Sequence, residues 1–129
     1  MTKDLTIGTA VVEAAAHAAH EANRAFAKLL GDNSHKAWDT LNTSEKSLAR
    51  WSVMLILSEG TLPDALHEMW RSKLISEGWS YGPVKDVATK VHPALRPYAE
   101  LDPEQRYKNE MFCAVAKEMG SAYWRIPNQ

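Results

Sequence analysis

The chain has 129 residues, 45% hydrophobic and 24% charged, which is the size and composition of one soluble globular domain rather than a disordered segment. A formal net charge of -1 leaves no global positive field for nonspecific nucleic-acid or membrane binding, so no nucleic-acid polymer is expected as a partner. Cys113 is the one cysteine, which excludes an intrachain disulfide and a multi-cysteine zinc site, and its place between Phe112 and Ala114 suggests a packed thiol.

Four helices are expected, in an all-α fold. The first runs from about Thr9 to Leu30, stopped by Gly31 as a left-handed cap. Its inward stripe reads Ala15/Ala16, Ala19, Ala22/Asn23, Phe26 and Leu29/Leu30, and so many small residues on one face predict close approach of another helix. The second opens at Asn42, with Glu45 three positions on as a capping box, and ends near Glu59-Gly60. Its Val53–Leu57 run is apolar all round, predicting a central helix, and is too short to span a bilayer.

The third helix runs from Thr61, with Pro63 and Asp64 in its first turn, to Gly78, and turns Leu66, Met69/Trp70 and Lys73/Leu74 inward. The fourth starts at Asp102-Pro103, with Gln105 three positions after Asp102, and is expected to bury Tyr107, Met111/Phe112, Ala114/Val115 and Met119. Short extended pieces are expected around Trp79 to Val84. The start Met1-Thr2-Lys3-Asp4 is not followed by an apolar run of signal-peptide length, so a cytoplasmic location, in a bacterial cell or a phage-infected host, is the expectation.

An internal repeat organises these elements. His20-Glu21-x-x-Arg24 is echoed by His67-Glu68-x-x-Arg71, each histidine followed eleven residues later by a glycine, Gly31 or Gly78. Leu41-Asn42-x-x-Glu45 is echoed by Leu101-Asp102-x-x-Gln105. His20 to Leu41 spans 21 positions and His67 to Leu101 spans 34, so the second half carries a loop longer by thirteen residues. This divides one domain into half-repeats of about 9–60 and 61–120, with a tail at 121–129. The repeated Glu–Arg pairs are expected as ion pairs, either within a helix or buried between the halves.

The long loop holds the specific signal. It reads Gly78-Trp79-Ser80-Tyr81-Gly82-Pro83-Val84-Lys85-Asp86, then Lys90-Val91-His92-Pro93-Ala94-Leu95-Arg96-Pro97-Tyr98. Together with His67-Glu68-x-Trp70 before it and Leu101 after it, this run resembles the ryanodine-receptor repeat, or RyR domain. The first half matches only as a degenerate partner, since Asn23 stands where Trp70 stands in the second. The resemblance implies paired helices with short extended segments and no catalytic role. Through stand-alone bacterial and phage members, it also implies recognition of a nucleotide-derived ligand.

Physically, Tyr81 and Tyr98 offer aromatic faces for stacking, and Lys85, Lys90, His92 and Arg96 offer charge or donors for an anion. Gly82 allows close backbone approach. These seven are the expected ligand-binding residues, with Trp70, Trp79 and Leu95 anchoring the loop. A purely structural loop is the competing reading, with Asp86 and His92 satisfying backbone groups.

Catalysis and metal binding are not expected, and no cofactor is assigned. A zincin helix needs histidine where Arg24 and Arg71 stand, and His17, His20 and Glu21 lack a distant fourth ligand. No nucleophile elbow or phosphate-binding glycine loop occurs. The sequence thus predicts a non-catalytic domain for a small anionic, nucleotide-derived ligand, such as a phage sponge that sequesters a host immune signal. The alternative is a protein-interaction module docking through residues 79–98. The aromatic pair Tyr123-Trp124 suggests a homo-oligomer.

Overall fold

The computed structural model describes residues 5–124, with the side chains of 8–122. It is a four-helix domain: α1 is Leu5–Leu29, α2 Thr43–Glu59, α3 Pro63–Ser76 and α4 Pro103–Trp124. A 3-10 turn precedes α2 at Trp38–Thr40, and another precedes α4 at Tyr98–Glu100. Between α3 and the second turn, β1 (Ser80–Tyr81) pairs in parallel with β2 (Val91–His92). Among the described residues, no helix is long and apolar enough to cross a membrane.

The alanine stripe acts as expected, and α1 makes its most extensive packing with α4. Ala15, Ala16 and Ala19 are fully buried, and α4 answers with Cys113, Ala116 and Gly120. A Cβ at Gly120 would stand 2.3 Å from a Leu57 methyl, so the α2–α4 contact requires a residue without one. The core gathers Val12, Ala15, Ala16, Trp38, Val53, Ile56, Leu66, Cys113 and Ala116. Burial pushes the Cys113 thiol up to about 11, keeping it protonated and inert, as a packed thiol should be.

The helix boundaries follow local signals. Asn42 and Glu45 form the reciprocal capping box, and Gly31 and Gly60 take the left-handed conformation (φ 86° and 66°) that ends α1 and α2. Helical phase is where the sequence reading errs. Tyr107 and Ala114 are exposed, as are Met54, Met69, Leu29 and Leu30. The apolar run of α2 therefore does not lie wholly inside. The small residues of α4 form the buried stripe because α1 comes too close for large ones. Helix α4 continues through 121–124, where a tail was expected, and the side chains of Tyr123 and Trp124 lie outside the described residues.

The two halves repeat one another bond for bond. His20 Nε2 donates to the Lys36 carbonyl at 2.6 Å, and His67 Nε2 to the Arg96 carbonyl at 2.7 Å. Glu21 accepts the Trp38 N–H at 2.8 Å, and Glu68 accepts the Tyr98 N–H at the same distance. Each carboxylate also holds an arginine on its own helix, Arg24 or Arg71. The Glu–Arg pairs thus do not cross between the halves. Each arginine steadies a glutamate whose task is to catch a backbone donor at the start of a 3-10 turn, so that the loop returns at a fixed point. Both carboxyls are held below their usual range, chiefly by those backbone N–H groups and also by the arginines.

A cleft between the two halves

The inserted loop is ordered by its own bonds. Asp86 and Val91 exchange both backbone hydrogen bonds at 2.9 Å, and the Asp86 carboxylate accepts from the Ala88 and Thr89 N–H groups. Lys90 closes the turn with φ 58°, and its ammonium donates to the Glu77 carbonyl at 2.8 Å. Gly82 lies buried against Val91, whose methyl would be 2.1 Å from any Cβ placed there. Close approach explains Gly82, and the approaching group is the loop's own valine.

The remaining expected site residues divide. Arg96 lies over the Tyr81 ring, 5.7 Å from its centroid, so these two engage each other on the loop. Tyr98 is half-buried, its ring 5.7 Å from that of His67 and its hydroxyl at a long 3.5 Å from Glu110. Leu95 is buried and Trp79 half-buried, its edge toward His92, which fits their expected role as anchors. His92 meets Trp70 edge-on at 5.1 Å, and its Nδ1 accepts the Ala94 N–H. Burial, helped by the charge of Lys85, pushes the His92 imidazole down to about 4. It is therefore neutral near pH 7, with its proton on Nε2.

A cleft of about 340 Å³ lies between the halves, and of the expected ligand-binding residues His92 alone lines it. The expected anchor Trp70 lines it too. A volume of roughly 300–1,000 Å³ is usual for small-molecule sites. One wall comes from the first half, through Asn23, His35, Glu45, Leu48, Ala49 and Ser52. The other carries Trp70, His92, Gln105, Lys108, Asn109 and Phe112. Many of these are repeat-equivalent positions: Asn23 corresponds to Trp70, Glu45 to Gln105, Leu48 to Lys108, Ala49 to Asn109 and Ser52 to Phe112. At these positions the first-half wall carries Asn, Glu, Leu, Ala and Ser where the second carries an indole, two amides, a lysine and a phenyl ring.

The charges at the cleft are unevenly matched. Burial raises the Glu45 carboxyl, but the Asn42 N–H and Lys36 outweigh it, and the net shift is downward. Glu45 is thus an engaged carboxylate, 3.3 Å from the Lys36 ammonium. Lys108 instead donates to the His35 imidazole at 3.2 Å. Burial, and then the Lys108 charge, hold His35 below its ordinary value, so the lysine's partner is neutral near pH 7. Lys85, on the loop, is near enough for its charge to lower His35, Glu45 and His92 together. Two cations, Lys85 and Lys108, therefore act where one carboxylate is already neutralised by Lys36. The combination suits an anionic group beside a flat ring.

A family model for the RyR domain matches residues 41–126, well over half of the chain. The chain belongs to the RyR domain family. The matched span includes the whole His67–Leu101 run, the inserted loop and the aromatic wall of the cleft. It begins at Leu41, so the α1 residues that face this RyR domain's aromatic wall, Asn23 among them, precede it. The sequence placed the candidate site on the 79–98 loop, and the cleft adds Lys108, Asn109, Gln105, Phe112 and His35, which were not among the expected site residues. Their signal was present in the repeat itself: an unlike pair at each equivalent position marks where two similar halves face each other with different chemistry.

Proposed function

We propose that this RyR domain binds a small anionic, nucleotide-derived ligand in the cleft between its halves, and does so without turning it over. The observation that carries the reading is the joint presence of Trp70 and Lys108 on the lining of one cavity, with Lys85 near enough for its charge to reach His92 there. A base stacked on an indole gains roughly 1–3 kcal/mol, whichever base it is. A phosphate beside Lys108 would replace a neutral imidazole as the ammonium's partner with an anion, which makes a stronger hydrogen bond. Tight binding with slow release suits a protein that holds a signalling nucleotide, the role of a sponge in a phage-infected bacterium.

The test is thermal unfolding of the whole chain against linear and cyclic nucleotides. A ligand at a hundred times its dissociation constant stabilises by about 2.7 kcal/mol, a clear rise in Tm. Trp70→Ala and Lys108→Ala should each remove the rise, whereas Lys90→Ala should keep it, since that ammonium is tied to Glu77 on the loop. No rise with any nucleotide, or a rise unaffected by Lys108→Ala, rejects the reading.

A second reading has its own support. Val84 and Val87 are 74% and 64% exposed on the loop, and Tyr81 is exposed as well. Exposed apolar side chains on an ordered loop suit docking onto a protein partner. Capture of one protein that Val84→Asp and Val87→Asp abolish, with no nucleotide response, favours this reading.

A further inference from the structure

We infer that Asn23 is the residue that selects among ligands of the cleft: its side-chain oxygen takes an N–H donor from the edge of a flat ring held on Trp70. The inference rests on the reading of the cleft as a nucleotide site. Its own observation is separate. The Asn23 Oδ1 is enclosed from solvent and has no hydrogen-bond partner, and it is the one such side-chain acceptor among the described residues. Asn23 lines the cleft from α1, at the position that Trp70 occupies in the second half.

Several neighbouring acceptors are already engaged. Glu45 takes the Asn42 N–H and the Lys36 ammonium. Gln105 takes the Asp102 N–H, and the His92 Nδ1 takes the Ala94 N–H. The Ser52 hydroxyl is turned to the Leu48 carbonyl. Asn23 stands on the first-half wall of the cleft, and the indole of Trp70 on the second. A wall with two indoles would grip a ring by its faces and read nothing of its edge. Here one indole is replaced by a carboxamide, so stacking supplies grip and the amide supplies discrimination. That oxygen is already covered and unpaired in the free chain, so the amide must turn toward the cleft to meet a ring. A ring with a donor satisfies it there, and a ring without one leaves it unpaired.

The experiment compares two ligands that differ only at that edge. Adenosine 5′-monophosphate carries a 6-amino group. Purine riboside 5′-monophosphate has hydrogen there and no N–H anywhere on its base, with the same sugar and phosphate. By titration calorimetry the full chain should bind the adenosine compound at least about tenfold more tightly. Asn23→Leu, close in volume but without an acceptor, should erase the difference by weakening only the adenosine compound. Its Tm should not fall, because no enclosed acceptor remains unpaired. Asn23→Ala serves as a second variant should leucine perturb packing. Equal binding of both compounds by the unaltered chain, or a preference that survives in the variants, overturns the assignment and leaves the cleft site standing. Binding of neither compound overturns the assignment together with the nucleotide reading beneath it.

Discussion

The connection after α1 and the connection after α3 end on the same bonds, yet one is short and the other is a folded loop. In both, a histidine and a glutamate on the helix receive the returning strand of chain, one through a carbonyl and the other through an N–H two residues later. What differs is the ring delivered there. Trp38 is 3% exposed, stacked on His17 at 5.5 Å and covered by Lys46, and it belongs to the core. Tyr98 is only half-buried, because the thirteen extra residues already cover their half with Leu95, Trp79 and His92. The lesson is that a repeated frame fixes where a loop returns. The burden of burial can then shift from one aromatic ring to a whole insertion, which frees the second half to build a wall.

Substitutions can test that contrast. The largest effect is expected from Trp38→Ala, about 3–5 kcal/mol in denaturant unfolding, with Tyr98→Ala costing clearly less. Equal losses would mean that the two rings do equivalent work. Next in size, Glu21→Gln and Glu68→Gln should each cost about 1–2 kcal/mol, since each weakens a charge-assisted bond to backbone and a half-exposed ion pair. Here near-equality is expected, and a twofold disparity would break the claim of a shared frame.

The third test uses pH. His92 sits at about 4 in the folded chain against an ordinary 6.5, so the unfolded chain takes up a proton first. Stability is therefore unaffected above about 6.5 and declines as pH falls toward about 4. His92→Phe should therefore reduce the decline in that window when Tm is followed across pH. Glutamates 21 and 68 act lower, where their depressed carboxyls finally protonate. The smallest contrast is in the caps. Asn42→Ala removes a complete capping box and should cost about 1 kcal/mol, while Asp102→Ala should cost a few tenths, its own side chain being 75% exposed.

The sequence made the frame legible through punctuation. Asn42-x-x-Glu45, Pro103, Gly31 and Gly60 act locally, so helix ends could be read without knowledge of the packing. The repeat could be read because it keeps identities at the hydrogen-bonding positions. Helical phase was harder, since Tyr107 and Met54 look like core until the α1–α4 distance is known, and that distance depends on alanines in another element. The cleft was hard to read for a related reason. Tyr81, Arg96, Lys90 and Gly82 have the chemistry of a binding loop but spend it on one another, on Glu77 and on Val91. Asn23 lies far in the chain from Lys108 and Phe112, and only the meeting of the halves turns them into one surface.

Cys113, buried where α1 presses on α4, gives this domain a built-in clock. Its thiol is shielded and protonated in the folded state, and reactive only once those two helices part. The rate at which an alkylating reagent marks that one sulfur therefore counts openings of the whole bundle. A ligand that ties the two halves together would be seen to slow the count.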